Sequence, residues 1–212
     1  FSIAEIMARS GFEWLCIDLE HSVIDLYEAE KLIATVSSNG CIPYVRVGSN
    51  NATIIKRVLD AGAKGIIVPM INSTKDAQKA VSACKYPPDG TRGVGLARAQ
   101  DYGANFQSYF EWIQSNAIVI VMIEHIDAVA NIEDIFSVDG VDGYIIGPYD
   151  LSSSIGFPGD LENREVTDLI AKIQEAGERA GIPGGTEQSA TEDSVCHAGG
   201  SAFGSGYQPH RG

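Results

Sequence analysis

Ionisable residues follow the apolar segments of this sequence at the points where those segments end. The stretch GVDGYIIGPYDLSSSIG, residues 140–156, contains a short apolar run that breaks at Gly147-Pro148, and Asp150 follows at once. The apolar run IVIVMIE at 118–124 ends in Glu124. Because parallel α/β proteins place site residues at the carboxyl ends of their strands, the pattern predicts a site that contains both carboxylates.

Glu124 and Asp150 are predicted at the ends of consecutive strands, so their charges repel unless one carboxyl is protonated or a divalent cation lies between them. No cluster of cysteine or histidine accompanies them, and an oxygen-rich site favours Mg²⁺ or Mn²⁺, with Co²⁺ as a further candidate. The alternative is that each carboxylate caps its following helix or pairs with an arginine. Two acids at neighbouring strand ends favour the metal.

A cation and two histidines are predicted near the same strand ends. Arg46 interrupts the apolar segment IPYVRV, where it either pairs with Asp18 or Glu20 or binds a carboxylate or a developing enolate. His21 follows the segment WLCIDLE and is the preferred general base, since the unperturbed pKa of histidine is about 6.5. His125 is the rival base, and spacing alone does not separate the two.

The lysines argue against an imine mechanism, which requires a lysine at the site. Lys64 precedes its predicted strand at the opposite edge of the sheet, and the other lysines considered fall on predicted helices. Metal-assisted enolate chemistry is therefore favoured. Two arginines in the predicted loop at 90–105, Arg92 and Arg98, either meet an acidic substrate tail or are solvated or interface residues, and the second interpretation is preferred.

Strands and helices alternate along the whole chain. The predicted strands are 14–20, 42–47, 65–70, 118–124, 144–146, 182–187 and 202–206. The predicted helices are 1–11, 25–38, 52–61, 74–85, 106–115, 127–136, 163–180 and 191–198. Asp25 and Asp127 are predicted to cap the helices that they begin. This alternation predicts an α/β fold with a parallel sheet covered by helices, either open or closed. A leading helix and seven strands predict one (β/α)₈ domain over 1–212, with its first strand upstream of Phe1 and its last helix missing.

Composition narrows the partners and the compartment. The net charge of −13 argues against nucleic-acid binding, and no apolar run approaches the length of a membrane span. The four cysteines form no CxxC pair, and Cys16 and Cys41 are predicted as small buried residues. With no visible signal peptide, a reducing cytoplasm is the predicted location. His197, on a predicted helix, and His210, in the tail, are predicted to have no role.

Six segments in order carry a resemblance to a known family. They are GFEWLCIDLEHS, PYVRV, IKRVLDAGAKGIIVPM, KYPPDGTRGVG, IEH and GVDGYIIGPYDLSSSIG. Together they resemble the metal-dependent (class II) pyruvate aldolases, which include the hydroxyketoacid aldolases and 2-dehydro-3-deoxyglucarate aldolase. The resemblance implies a (β/α)₈ TIM barrel of the phosphoenolpyruvate/pyruvate type. It also implies a homo-oligomer, a hexamer that exchanges its last helix between subunits.

The resemblance implies a role for each matching residue. His21 is similar to the family's catalytic base, and Arg46 to the residue that stabilises the pyruvate enolate. Glu124 and Asp150 match the two metal ligands. Asp60, which sequence alone identifies only as a helix-end residue, falls where the family has an acid that raises the basicity of the histidine.

Two further positions are expected to contact substrate along with Arg46 and Asp150. Tyr149 stands where a backbone amide meets the pyruvate carboxylate. Met122 occupies a position that is glutamine in some members, and a methionine does not donate the hydrogen bond that glutamine donates.

The activity implied is that of a divalent-metal-dependent aldolase. Such an enzyme reversibly cleaves a 4-hydroxy-2-oxo acid, for instance a 2-keto-3-deoxy sugar acid, to pyruvate and an aldehyde through a metal-stabilised enolate. One alternative is a citrate-forming or acyl-CoA lyase enzyme on the same site, because the enolate chemistry is shared. The other alternative is a non-catalytic barrel, since a fold never guarantees a function.

Overall fold

A computed structural model describes residues 1–187 and has an α/β fold with six strands in one sheet, arranged in chain order. The strands are β1 Trp14–Asp18, β2 Ile42–Arg46, β3 Gly65–Val68, β4 Ile118–Ile123, β5 Gly143–Ile146 and β6 Gly184–Thr186. The pairs β1–β2, β2–β3, β4–β5 and β5–β6 are parallel. Parallel pairing aligns the carboxyl ends of neighbouring strands, where the sequence places its ionisable residues.

Helices alternate with these strands through the described part of the chain. They are α1 Ser2–Arg9, α2 Leu26–Ser38, α3 Ala52–Asp60, α4 Thr74–Cys84, α5 Phe106–Asn116, α6 Ile126–Ala130, α7 Ile132–Phe136, α8 Pro148–Ser154 and α9 Arg164–Ala180. A 3₁₀ helix, Arg98–Gly103, lies within the segment predicted as a loop. No helix in residues 1–187 is both long enough and apolar enough to traverse a bilayer.

Six predicted strands are confirmed, most of them shortened by one or two residues at their ends. The predicted strand 202–206, the predicted helix 191–198, His197 and His210 all lie outside the described residues. The prediction that Asp127 caps the next helix is wrong. His125 is the cap, its Nδ1 accepting a hydrogen bond from the Asp127 N–H, and the helix is divided into α6 and α7 at Asn131.

One compact unit comprises Phe1–Val68 and Lys79–Val119. On α2, the buried residues Ala29, Ile33 and Val36 recur at helical spacing and so form its core-facing stripe. On β1, side chains alternate between faces, and Ile17 takes the buried one. Cys16 is consequently exposed, so its prediction as a buried residue is wrong, whereas that for Cys41 is confirmed.

The other compact unit comprises Pro69–Gln78 and the described chain from Ile120 onward. Helix α9 packs on β5 at a close approach of Gly177 to Tyr144: a Cβ added to Gly177 would lie 2.3 Å from the tyrosine ring. The ring of Tyr144 also lies 4.8 Å from that of Phe136, centroid to centroid. These contacts anchor β5, whose carboxyl end leads into Gly147-Pro148.

The start of α2 offers a test of local structure. Asp25 Oδ1 accepts a hydrogen bond from the Glu28 N–H at 2.8 Å, and Glu28 Oε2 accepts one from the Asp25 N–H at 3.3 Å, so the two residues form a capping box. We expect Asp25→Ala to lower the free energy of unfolding by about 1 kcal/mol. Urea unfolding measures the change. Asp168→Ala, an exposed substitution on α9, should change stability by less than about 0.5 kcal/mol, and equal effects of the two would contradict the capping role.

Candidate active site

The carboxyl ends of β1 and β2 carry an ion pair. Asp18 and Arg46 are register partners in the parallel sheet. Arg46 donates through Nε to Asp18 Oδ1 at 2.9 Å and through Nη2 to Oδ2 at 2.7 Å, and its Nε lies 3.6 Å from Glu20 Oε2. The structural pair considered for Arg46 is therefore formed. The two hydrogen bonds to Asp18 fix the guanidinium and leave it positively charged, so they are compatible with a role beside an enolate. The contact with an enolate itself stays a prediction.

The Asp18 carboxylate also organises the turn that follows β1. Its Oδ1 accepts hydrogen bonds from the backbone N–H groups of Glu20, at 2.9 Å, and His21, at 3.3 Å. Burial raises the pKa of Asp18, but the hydrogen bond from Arg46, the Glu20 N–H and the Arg46 charge outweigh it, and the net pKa lies below the usual value. Asp18 is therefore ionised at neutral pH and holds the turn that carries the predicted base.

His21 stands just past the end of β1 with its imidazole mostly exposed. Its Nε2 lies 3.7 Å from Glu20 Oε2, and the Ser22 hydroxyl donates to the Asp18 carbonyl oxygen. An accessible imidazole beside a carboxylate has the geometry of a general base. The rival, His125, uses Nδ1 as a helix-capping acceptor, which places the proton of its neutral form on Nε2.

Glu124 lies at the carboxyl end of β4 and is almost fully buried, with 2% of its surface exposed. Its Oε1 accepts a 2.6 Å hydrogen bond from the Met70 N–H. On the neighbouring strand, Ile146 is the register partner of Ile123, and the Gly147 N–H donates to the Ile123 carbonyl at 3.2 Å. Glu124 and Gly147 thus follow adjacent strand ends, as the sequence predicted for Glu124 and the Gly-Pro break.

The other predicted residues of this region lie on β4 and α8. Asp150 is exposed and belongs to the first turn of α8, which begins at Pro148, so it does not lie at the strand end itself. Tyr149 is 48% exposed, whereas Met122 is 1% exposed. Their predicted contacts with substrate stay predictions.

A divalent cation fits this carboxylate chemistry. Residues 1–187 contain no group of three or more histidine, cysteine, aspartate and glutamate side chains arranged to hold a metal. Mg²⁺ in enzymes is commonly bound through one or two carboxylates, with water and substrate oxygens completing the coordination. A buried glutamate oriented by a backbone amide, with an aspartate on α8, the helix after the neighbouring strand β5, meets that requirement.

A buried arginine is one feature that the sequence did not predict. Arg92, predicted as a solvated or interface residue, is 2% exposed. Its Nη2 donates to Asp60 Oδ1 at 2.6 Å, its Nη1 donates to the Tyr109 hydroxyl at 3.0 Å, and its guanidinium lies over the Tyr86 ring. Asp60 is the last residue of α3, as predicted. Its partner in this contact is Arg92, and the effect on a histidine implied by the resemblance stays a prediction.

Tyr109 gives this network a spectroscopic signature. Burial raises the pKa of the Tyr109 phenol to about 12, even though Arg92 lowers it. The pKa of this phenol in the folded protein exceeds the unfolded value of about 10. The contribution of the neutral Tyr109 phenol to the free energy of unfolding is therefore complete below pH 10 and is lost as pH rises from about 10 to 12. Ultraviolet titration should show one tyrosine ionising near pH 12 that is absent from Tyr109→Phe. Loss from Tyr109→Phe of a tyrosine that ionises near pH 10, with the ionisation near pH 12 unchanged, would contradict the buried contact.

Curated relatives of the chain are aldolases. The chain is 41% identical over 184 residues to a hydroxypyruvate/pyruvate aldolase of Sagittula stellata, covering 86% of this chain and 72% of that protein. It is 40% identical to a 4-hydroxy-2-oxovalerate aldolase of Rhodococcus jostii, covering 84% and 71%. It is 39% identical to a 2-keto-3-deoxy-L-rhamnonate aldolase of Klebsiella pneumoniae, covering 85% and 69%.

Several solved structures have a fold similar to that of this chain. A HpcH/HpaI aldolase/citrate lyase family protein from Burkholderia cenocepacia superposes with a TM-score of 0.86 at 34% identity, covering 91% of this chain and 77% of the other. The citrate synthase SbnG superposes with a TM-score of 0.79 at 31% identity, covering 91% and 75%. CitE from Mycobacterium tuberculosis, in complex with magnesium and acetate, shares the fold alone, at 13% identity, a TM-score of 0.51, and coverage of 82% and 63%.

The α/β fold and these relatives define an enzyme of the carbon–carbon lyase class, an aldolase. The pattern of the HpcH/HpaI aldolase/citrate lyase family matches residues 1–196, and the chain belongs to that family. The family resemblance predicted from the six segments is confirmed.

Proposed function

We propose that the protein reversibly cleaves a 4-hydroxy-2-oxo acid, such as a 2-keto-3-deoxy sugar acid, to pyruvate and an aldehyde with the help of a divalent cation. The observation that carries the proposal is the buried Glu124 carboxylate at the carboxyl end of β4, oriented by the Met70 N–H. The names of the relatives supply the substrate class, since they include 4-hydroxy-2-oxovalerate and 2-keto-3-deoxy-L-rhamnonate.

Glu124 and Asp150 are the residues proposed to hold the cation, which we take to be Mg²⁺ or Mn²⁺, with Co²⁺ as a further candidate. When bound, a divalent ion is a Lewis acid that polarises the keto group of a 2-oxo acid. The contacts of Lys64 do not favour an imine alternative. Lys64 Nζ lies over the Trp112 ring, and the Lys64 N–H donates to Pro43 near the start of β2, away from the carboxyl end that carries Arg46.

His21 is the proposed proton carrier. In the cleavage direction it accepts the proton of the C4 hydroxyl, the C3–C4 bond breaks, and C4 becomes the aldehyde carbonyl carbon. The electron pair of the broken bond forms the pyruvate enolate, which then takes a proton at C3. The guanidinium of Arg46, fixed by Asp18, stabilises the negative charge on the enolate. Asp60 is proposed to raise the basicity of the histidine.

Substrate binding is assigned to residues around α8 and β4. The Tyr149 backbone amide is proposed to bind the pyruvate carboxylate, with Asp150 and Met122 beside the substrate. A fully buried methionine adds apolar contact area and no hydrogen-bond donor, so we expect it to affect substrate preference more than turnover.

Pyruvate release coupled to lactate dehydrogenase tests the proposal. We expect NADH oxidation with a 2-keto-3-deoxy sugar acid, Mg²⁺ or Mn²⁺ and the wild-type enzyme. Excess EDTA should stop it, and His21→Ala should slow it by about 10²- to 10⁴-fold, the range for loss of a general base. Undiminished cleavage in EDTA, or by His21→Ala, would remove the basis of the assignment.

Citrate formation is the second candidate, favoured by the 31% identity to the citrate synthase SbnG. Citrate formation joins the enolate of an acetyl thioester to the ketone of oxaloacetate, whereas the aldolase reaction joins the pyruvate enolate to an aldehyde. Incubation with oxaloacetate and a CoA thioester distinguishes the two. Citrate or free CoA as the product, with no cleavage of 4-hydroxy-2-oxo acids, would replace the aldolase assignment.

Three further features belong to the same proposal: a closed eight-stranded TIM barrel formed as one domain, a homohexamer, and a cytoplasmic location. They are supported by family membership. Light scattering coupled to size-exclusion chromatography tests the hexamer, and a monomeric mass would refute it.

A further inference from the structure

Met70, two residues beyond β3, has a backbone conformation that is rare for its residue type. Its φ is +54°, in the left-handed region that non-glycine residues seldom occupy. The residue is 47% exposed, so burial of the methionine does not account for this conformation. Strained backbone conformations persist where surrounding structure imposes them, and they concentrate at functional sites.

The strained residue contacts one of the proposed metal ligands. The Met70 N–H donates a 2.6 Å hydrogen bond to Glu124 Oε1, slightly shorter than the usual range of about 2.7–3.2 Å for an N–H donor. A hydrogen bond from a backbone N–H fixes the orientation of a carboxylate that binds a metal. The unusual backbone of Met70 therefore coincides with the contact that orients Glu124.

Gly147, the residue after the neighbouring strand β5, lies against the Glu124 side chain. A Cβ added to Gly147 would lie 2.7 Å from Glu124 Oε2 and 2.9 Å from Glu124 Cβ, closer than real Cβ atoms approach their neighbours. The φ of Gly147 is −95°, which any residue adopts, so the backbone does not require glycine here. The close approach of the Glu124 side chain is what requires glycine at this position.

We propose that Met70 and Gly147 are positioning residues that hold the Glu124 carboxylate ready to bind the divalent cation. The Met70 N–H fixes one carboxylate oxygen, and the absent side chain of Gly147 leaves room for the other. This inference rests on the proposed function. It adds that cation affinity depends on a left-handed backbone at residue 70 and on the space left by glycine at residue 147. The Met70 side chain is not a ligand of the cation.

Substitutions at residue 70 separate backbone geometry from side-chain packing. Glycine adopts positive φ freely, whereas a β-branched residue in that region is a strong outlier. Met70→Gly should therefore keep its Mn²⁺ affinity, and Met70→Ile should bind Mn²⁺ about 10- to 100-fold more weakly, the usual effect of losing a group that orients a metal ligand. If the methionine side chain mattered by packing, Met70→Gly would be the more damaging change.

Gly147→Ala should likewise weaken Mn²⁺ binding by about 10- to 100-fold, because Glu124 must move. The matched control is Gly185→Ala on β6, where an added Cβ meets nothing within 4 Å. We expect that variant to bind Mn²⁺ like the wild type.

Affinity is measured without substrate, by titrating each protein with Mn²⁺ and following free Mn²⁺ by electron paramagnetic resonance. Circular dichroism melts in EDTA identify any variant that fails to fold. The inference is supported if Met70→Gly and Gly185→Ala match the wild type while folded Met70→Ile and Gly147→Ala bind more weakly. It is overturned if all folded variants bind equally, or if Met70→Gly binds as weakly as Met70→Ile. Absence of Mn²⁺ binding by the wild type would instead overturn the proposed function.

Discussion

Glu124→Gln is expected to lower kcat/KM for cleavage of a 4-hydroxy-2-oxo acid by about 10³-fold. The amide keeps the size of the side chain and can still accept the hydrogen bond from the Met70 N–H. It lacks the negative charge that attracts a divalent cation. Lewis-acid stabilisation of a developing charge contributes several kcal/mol, and each 1.36 kcal/mol corresponds to a factor of about ten in rate.

Steady-state kinetics over a series of Mg²⁺ concentrations measure this effect. The loss should be smaller at high Mg²⁺ if affinity is the main defect. Glu175→Gln is the matched control, because that glutamate is exposed on α9, and its kinetics should equal those of the wild type. A Glu124→Gln enzyme with unchanged kinetics would show that Glu124 is not a metal ligand.

The second large effect is expected for Arg46→Lys, with a loss of about 10²- to 10³-fold in kcat, the range for removing a preorganised group that stabilises an oxyanion. Lysine keeps the charge, but it cannot make the two parallel hydrogen bonds that fix Arg46 against Asp18. The charge is then no longer held in one place, and a group that stabilises the enolate acts mainly on kcat.

Arg179→Lys supplies the comparison for Arg46→Lys. Arg179 pairs with Glu133 on the exposed surface, where ion pairs contribute little, so its replacement should leave kcat and KM unchanged. Unfolding in urea shows whether Arg46→Lys remains folded. A folded Arg46→Lys enzyme with wild-type kcat would limit Arg46 to its structural pair with Asp18.

The strand ends were accessible from sequence because they depend on local signals. An apolar run that stops at an acid, a Gly-Pro pair and an Asp at the start of a helix are local signals, and Glu124, Gly147 and the Asp25 cap lie where these signals predict. The pairing of Asp18 with Arg46 follows once β1 and β2 are placed side by side in a parallel sheet.

The remaining features depend on contacts between residues distant in sequence. Arg92 was predicted as a solvated or interface residue, and its partner Asp60 lies 32 positions earlier in the sequence. A hydrogen bond to Glu124, 54 positions away, accompanies the left-handed backbone of Met70. His125 caps α6 although aspartate is the more usual capping residue, and so the choice of Asp127 from residue type alone failed.

Exchange of the methyl protons of pyruvate in D₂O, followed by nuclear magnetic resonance, tests the central claim most directly, because it isolates enolate formation from the identity of the aldehyde. We predict that the wild-type enzyme with Mg²⁺ exchanges these protons, that excess EDTA abolishes the exchange and added Mg²⁺ restores it, and that Glu124→Gln shows little exchange. Exchange that continues in EDTA, together with a protein–pyruvate adduct trapped by borohydride, would demonstrate a lysine imine and contradict the metal-dependent mechanism.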